Sequence, residues 1–578
     1  MKALFVGINA KFIHSNLAIR YIQKYAENQG VVIDTSEYTI NQSIDFIFDG
    51  IINQAPDLIG FSCYLWNIEL IKNLVVMLKQ VRPECRVVLG GPEVSYDTKQ
   101  LIEGLPEVDY IIAGEGEVSA TNLVQRLRDK QSLEGLTGLT YLKDGEVVVT
   151  VPTPPLDLSL VPFVYEEGLV GLEHRILYYE TSRGCPYTCQ YCLSSIEKGV
   201  RFRPIEMVKR ELQFFLDHKV TQIKFVDRTF NAKLSHTLAI WHYLHENDNG
   251  VTNFHFEITA DLLDEKTLEF LAGVRPGLFQ FEVGVQSTHA PTILTVERKV
   301  EFEKLKARVL KAMEGNNIHM HLDLIAGLPK EDYLTFAKSF NDVMAIKPEQ
   351  LQLGFLKVLK GSQIYYLQKD YGIVFRQFAP YEVLSTHEMT YEDLRRLKDI
   401  ETLLETYYNS NQFSTSIRYL MDCHDSAFDC FEGMSDYWKD QGYNLLPHNK
   451  IRLYELMYDY GTTCKRVNRE LLKQKLKHDL CTREKPKKWP DFIPQEDQFK
   501  ETKRAFYQSE TNRASVLSSY KEYTSKQCSR MAHLERYTFD VAGTSEEKVT
   551  WLFYDYKKKN IMTGHASVTV VDLAEDMD

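Results

Sequence analysis

Residues 176–192 read ILYYETSRGCPYTCQYC, a short apolar run, a polar turn, and then Cys185, Cys189 and Cys192 in C-x3-C-x2-C spacing. The run Ile176–Glu180 reads as a strand, so the cysteines crowd one tight loop beyond its carboxyl end. Three thiolates so placed suit three irons of a [4Fe–4S] cube, a cluster that ordinarily takes four cysteines. The remaining iron is then open to bind and reduce a small molecule. Zinc is the competing reading. Structural zinc takes four closed ligands, usually from paired cysteine elements, and no second pair lies nearby.

Downstream of this loop, apolar runs alternate with amphipathic segments. Strands are expected near 177–182, 222–226, 254–258, 279–284, 320–325 and 350–354, with helices between them. Six βα units of this length predict a partial (βα)6 TIM-like barrel, its site at the carboxyl ends of the strands. Upstream, VPTPPLDLSLVPF at 151–163 holds four prolines and reads as an extended linker. Ahead of it, candidate strands Lys2–Gly7, Val31–Glu37, Asp57–Ser62, Arg86–Leu89 and Tyr110–Ala113 alternate with helical stretches such as Asn67–Gln80. That order predicts a doubly wound, flavodoxin-like parallel sheet. A hairpin follows at Lys143-Asp144-Gly145. From about residue 380 the texture turns to Tyr, Lys and Glu with helical patterning to about 530, then antiparallel strands over Tyr537–Leu573. The expected fold is therefore α/β: a first domain at 1–145, a linker at 146–175, a barrel at 176–375, and a mainly helical α+β region at 376–578.

A chain of 578 residues exceeds one core. Its composition, 44% hydrophobic and 26% charged, is that of a folded soluble protein, and its net charge of −12 opposes bulk electrostatic binding of nucleic acid. No apolar run reaches the ~18–20 residues of a spanning helix. The opening MKALFVGINAKF reads as a buried strand rather than an export signal. The ten cysteines are then reduced thiols or metal ligands, and the expected location is the cytoplasm.

Over residues 176–360 the chain resembles the radical S-adenosylmethionine (SAM) superfamily. The cysteine loop matches, with Tyr191 as the aromatic before its last cysteine. Glu257 ends Phe254-His255-Phe256-Glu257; Glu282, Gly284 and Gln286 lie in a stretch resembling the family's E-x-G-x-Q-S strand; Arg298 lies twelve residues on; Asp323 and Gly327 lie in a stretch resembling D-x-I-x-G-L-P. The resemblance implies that the open iron chelates SAM and that reduction yields a 5′-deoxyadenosyl radical, with an electron donor such as flavodoxin or ferredoxin. Physically, Arg298 suits a carboxylate, and carboxylates or Gln286 suit ribose hydroxyls. The plainer reading of Glu257 and Glu282 is as barrel-rim charges. Asp227 ends another expected strand, where it either lines the pocket or caps a helix.

The first domain resembles the cobalamin-binding domain that precedes many radical SAM enzymes. Its loops carry Ser62-Cys63-Tyr64, Gly90-Gly91-Pro92-Glu93 and Gly114-Glu115-Gly116-Glu117. Glycine lets backbone approach a flat corrin where a Cβ would clash. The D-x-H-x-x-G motif that supplies a lower cobalt ligand is absent. His14 stands at a plausible place, but its surroundings point to a polar contact. The alternative is a doubly wound domain kept for architecture.

Residues 465–488 carry ten Lys or Arg against three acids, a solvated helix face or, alternatively, an RNA-docking patch. Cys423, Cys430, Cys464, Cys481 and Cys528 lack compact spacing, so ordinary thiols are expected over a second cluster. The resemblance in this region is to an uncharacterised domain. The leading reading is a cobalamin-dependent radical SAM enzyme that transfers a methyl group to an unactivated carbon of a small-molecule or peptide substrate. An RNA-modifying radical SAM enzyme and a cobalamin or redox sensor stand as alternatives, with no membrane partner.

Overall fold

A computed structural model of the chain describes residues 1–173, 175–196, 198–494 and 499–573, with residues 513 and 514 described in backbone only. It divides into two compact units. The first comprises Met1–Asp332 with Gly354–Tyr391, the second Tyr333–Leu353 with Glu392–Asp578.

The first unit opens with strands β1 (Ala3–Asn9), β2 (Asp34–Thr39), β3 (Leu58–Ser62), β4 (Arg86–Gly90) and β5 (Tyr110–Ile112). They pair in parallel in the order β2-β1-β3-β4-β5. Every residue of β1 and β3 is buried, as expected of a sheet covered by helices on both faces. The order reverses between β1 and β3, which opens a crevice at their carboxyl ends. The second strand begins three residues later than Val31. After the helix Leu17–Asn28, Gly30 adopts φ +72 and the Val31 N–H bonds back to the Ala26 carbonyl, so this apolar residue is spent on the helix end and not on the ladder. The hairpin is β6 (Leu139–Lys143) and β7 (Glu146–Val149), which extend the sheet antiparallel beside β5. Residues 146–149 thus belong to the sheet rather than to the linker.

Next come β8 (Leu177–Tyr179), β9 (Ser182–Cys185), β10 (Gly199–Phe202), β11 (Gln222–Phe225), β12 (Asn253–Ile258), β13 (Phe279–Gln286), β14 (His319–Ala326) and β15 (Gln350–Phe355). Strands β8 and β11 to β15 lie side by side in chain order as one sheet, while β9 and β10 form a separate antiparallel pair. Alternation along the barrel strands decides what each face holds. Phe254, Phe256, Phe279 and Phe281 are fully buried toward the helices, with Trp241 centred 5.2 Å from the Phe281 ring and Phe230 4.3 Å from Phe256. The intervening residues are His255, Glu257, Gln280 and Glu282. The interior is therefore polar, and the aromatic layer outside it carries the packing.

In the second unit, helices precede a three-stranded antiparallel sheet of His533–Phe539, Glu547–Lys559 and Ala566–Val571, which begins four residues before the expected Tyr537. The basic tract is not a solvated face throughout. Within helix Arg469–Arg483, Lys475 and Lys477 are buried, and Lys477 pairs with Glu535 at 2.7 Å. No described helix is long and apolar enough to cross a membrane.

Because Phe256 sits at the centre of the outer aromatic layer, Phe256→Ala should lower unfolding stability by about 3–5 kcal/mol. Urea unfolding of the full chain measures this, and a loss under about 1 kcal/mol would show that the layer is not the packing core.

Candidate functional site

The cysteine loop hangs from buried anchors. Asp227, at the end of β11, accepts hydrogen bonds from the Thr181 N–H (3.0 Å), the Thr181 hydroxyl (2.6 Å) and the Ser182 hydroxyl (2.5 Å). It neither caps a helix nor lines the cavity. Its carboxylate is consumed in fixing the entry to β9. Gly184, at φ +98, is required there because a Cβ would lie 2.2 Å from the Gly199 carbonyl across the β9–β10 pair. Arg183 points the other way, onto Glu180 (3.0 Å), Glu117 (2.5 Å) and Glu115 (3.4 Å).

Beyond these anchors Cys185, Cys189 and Cys192 line a cavity of about 180 Å³, together with Tyr191, Glu257, Glu282, Gly284, Gln286, Arg298 and Asp323. Residues from five places in the sequence thus meet at the carboxyl strand ends. Among the described residues no three His, Cys, Asp or Glu side chains are arranged to share one metal ion. A cube with one thiolate per iron makes no such demand.

Arg298 reaches the Tyr191 hydroxyl at 3.2 Å and the Cys189 sulfur at 3.8 Å, and donates to the Gly284 carbonyl. Burial raises the Cys189 thiol, and the guanidinium opposes it. A β-bulge between Gly284 and Gln286 breaks the register with β14, and Gln286 takes φ +71. A side chain in the left-handed region is costly and clusters at sites. Here the Gln286 amide ends directly over Gly284, where a Cβ would sit 2.2 Å from its nitrogen. Gln286 Oε1 and Arg298 Nε are buried without a hydrogen-bond partner, which leaves an acceptor and a donor for a bound group.

Below the rim stand groups that the sequence reading missed. Lys224 Nζ lies 3.0 Å from Glu282 and 3.9 Å from Glu257, and His255 Nε2 lies 3.0 Å from Glu282. Burial would raise Glu282, but His255 and Lys224 outweigh it and lower the carboxyl to about 2. Glu257 and Asp323 are both raised by burial and then by Glu282. The missed signal was alternation, since Lys224 stands between buried Ile223 and Phe225 and so must face inward.

In the first domain a smaller cavity of about 90 Å³ opens at the carboxyl edge, lined by Ser62, Tyr64, Gly90, Gly91, Gly114 and Gly116 among apolar residues. The glycines differ in what they permit. A Cβ at Gly114 meets open space, and one at Gly90 has nothing nearer than 3.8 Å, so both leave room for a ligand. Gly91 is required by the fold itself: φ is +110 and a Cβ would lie 2.6 Å from the Cys63 carbonyl. Glu115 is turned to Arg201 and accepts from the Leu156 N–H at 2.8 Å. His14 Nδ1 lies 2.6 Å from the Tyr178 hydroxyl.

Residues 3–124 match the B12 binding domain family, residues 179–343 the radical SAM superfamily, and residues 369–554 a family described as a protein of unknown function, DUF4080. The chain is 25% identical over 507 residues to the cobalamin-dependent radical SAM methyltransferase TokK of Streptomyces tokunonensis, covering 79% of this chain and 73% of that protein. It is 24% identical over 522 residues to 2-(S-pantetheinyl)-carbapenam-3-carboxylate methyltransferase of Streptantibioticus cattleyicolor, with the same shares, 79% and 73%. Among solved structures, the cobalamin-dependent SAM radical enzyme OxsB shares the fold with a TM-score of 0.57 at 15% identity, over 86% of this chain and 82% of that one. The chain is a B12-binding radical SAM enzyme.

The cofactors of this B12-binding radical SAM enzyme are a [4Fe–4S] cluster, SAM and cobalamin. The donor sets fit them: soft thiols for iron, unpaired amide and guanidinium atoms for a zwitterionic ligand, and open glycine positions for a flat ring.

Glu282 gives the enzyme a pH signature. Its folded-state value is depressed from 4.5 to about 2, so its contribution is complete above 4.5 and is lost as pH falls toward 2. The shift corresponds to about 3 kcal/mol. Urea unfolding of apoprotein should show wild type exceeding Glu282→Gln by a margin that closes between pH 4.5 and 2. A margin independent of pH would refute the pairing with Lys224 and His255.

Proposed function

We propose that the enzyme methylates an unactivated carbon of a small-molecule substrate, with Cys185, Cys189 and Cys192 as the cluster ligands. The observation that carries this reading is one cavity lined by three cysteines, Arg298, Gln286 and three carboxylates, in the same compact unit as the glycine-lined crevice. Both long-matching relatives bear methyltransferase names, and one acts, by its name, on a carbapenam carboxylate.

When bound, the cluster supplies the electron that cleaves SAM, and cobalamin supplies the methyl group. The residues of the chain bind and orient. Arg298 pairs its free Nε–H with the ligand carboxylate. Gln286 Oε1 accepts from a ligand donor, and Tyr191 packs beside Arg298 to fix the guanidinium. Glu257, Glu282 and Asp323 face the ammonium, the ribose hydroxyls or both. Ser62, Gly90, Gly114 and Gly116 admit the corrin, while Glu115 and Gly91 hold the loops that form its seat. His14 keeps Nδ1 on Tyr178, and the chain would hold cobalamin through its glycine loops rather than through this side chain. A flavodoxin or ferredoxin supplies the electron.

Four variants test this reading on anaerobically reconstituted protein. Cys189→Ala should abolish the [4Fe–4S] EPR signal and 5′-deoxyadenosine formation, and a variant that kept a full cube would remove Cys189 from the ligand set. Arg298→Ala should weaken SAM binding by about 1.5–3 kcal/mol in calorimetry. Gly90→Leu should exclude cobalamin from the absorption spectrum with little loss of melting temperature. Gly91→Ala should instead destabilise the fold, because its obstruction is the chain's own Cys63. Full cobalamin retention in Gly90→Leu would place the corrin elsewhere.

A further inference from the structure

The second unit gathers reactive side chains that the reaction above does not use. Helix Ser414–Asp422 ends at Cys423-His424, helix Ala427–Asp440 carries Cys430, and helix Lys450–Thr463 carries Tyr460 and ends at Cys464. His424 Nδ1 lies 2.7 Å from the Leu420 carbonyl, which can only accept, so Nδ1 holds a proton. Nε2 faces the Tyr460 hydroxyl at 2.9 Å and the Cys464 sulfur at 3.7 Å. The Tyr460 hydroxyl also lies 3.2 Å from the buried Cys430 carbonyl, and the Cys464 sulfur lies 3.6 Å from the Tyr460 carbonyl. With its proton on Nδ1, the ring presents Nε2 as an acceptor toward both Tyr460 and Cys464. A proton passed from Cys464 to Nε2 makes the ring a cation beside the sulfur. Gly433 makes room for this arrangement, since a Cβ there would lie 2.8 Å from the Tyr460 hydroxyl.

The two thiols differ. Cys430 is wholly buried and its thiol is raised by that burial. Cys464 is only partly buried, and His424 outweighs burial to hold its thiol below the ordinary value. The other charged or titratable groups around the pair are Cys430, which also interacts with His424, Cys423 with Tyr419, Tyr437, Asp436, Lys465 and the exposed Asp425–Arg466 ion pair.

We propose that Cys464, with His424 as its counter-ion, is a second reactive site, a thiolate that exchanges with low-molecular-weight disulfides. The Cys464 sulfur attacks one sulfur of the disulfide, forming a new S–S bond as the old one breaks. The departing half leaves as thiolate and takes the Nε2 proton of His424, which then accepts from Tyr460. Cys464 is oxidised and the departing half is reduced, so no further reactant is needed.

The test uses full-length enzyme under anaerobic conditions with glutathione disulfide as the probe, and peptide mass spectrometry to follow adducts from pH 5 to 9. At pH 6.5 Cys464 should react about tenfold faster than the partly exposed Cys423, with a rate midpoint well below the ~8.5 of a free thiol. His424→Gln should move that midpoint upward while the circular dichroism spectrum stays native. If that variant misfolds, the wild-type profile decides alone. A Cys464 rate that rises only near pH 8.5, in step with Cys423, or no adduct at all, would overturn the proposal.

Discussion

Everything at the cysteine loop depends on where Arg183 is held. It lies two residues before Cys185, and its guanidinium meets Glu180 from the end of the first barrel strand and Glu115 and Glu117 from the fifth loop of the first domain. All four side chains are at least 85% buried, with exposures of 14% for Arg183 and 6–15% for the acids. Removing such charges from water costs several kcal/mol each, so the cluster is weak evidence of stability. Its value is positional. Three carboxylates leave one place for the cation, and that place fixes the strand carrying Cys185 to the loop carrying Gly114 and Gly116. Burial pushes Glu180 up to about 7 even with Arg183 opposing it. The two loops therefore keep a common register through Arg183, with Arg201 on β10 holding Glu115 from the paired strand.

The barrel solves a related problem by dividing labour between its faces. A barrel interior is ordinarily packed with branched apolar side chains. Here the outer face takes that role, with Phe225, Phe230, Phe256, Phe279, Phe281 and Trp241 in mutual ring contact. The interior is thereby free to hold Lys224, His255, Glu257 and Glu282 at ion-pairing distances. The price of polarity inside is local strain, seen at Gln286, which occupies the left-handed region beside the bulge.

The fold was legible because its signals are local and periodic. Strand alternation, the proline-rich linker and the cysteine spacing each lie within a dozen residues, and strands appear at all six expected barrel positions. The strand edges were less legible where backbone groups were claimed by something else, as at Val31, whose N–H closes a helix. The rim residues Glu257, Glu282, Gln286, Arg298 and Asp323 were readable one by one, and they meet in one cavity. Their support was not. Asp227 anchors Thr181 across 46 residues, and Arg183 meets Glu117 across 66, partnerships that no window of sequence displays. Gly91 was read for ligand approach, yet the obstruction is Cys63, 28 residues upstream. Glycine spacing announces a close approach without saying what approaches.

Charge in the main cavity sets what it can hold. Glu257, Glu282 and Asp323 share the main cavity and its edge with Lys224, Arg228 and Arg298, and three thiols stand at the other wall. Burial holds the Glu257 and Asp323 carboxyls above their ordinary range, with Glu282 adding to it, while His255 and Lys224 hold Glu282 low. A ligand with a sulfonium and an ammonium against one carboxylate carries net positive charge. A positive charge beside Glu257 and Asp323 opposes the burial that raises them and favours their charged form. The three acids therefore suit a cationic ligand better than an anionic one of the same size, and Arg298 suits a carboxylate that such a ligand carries.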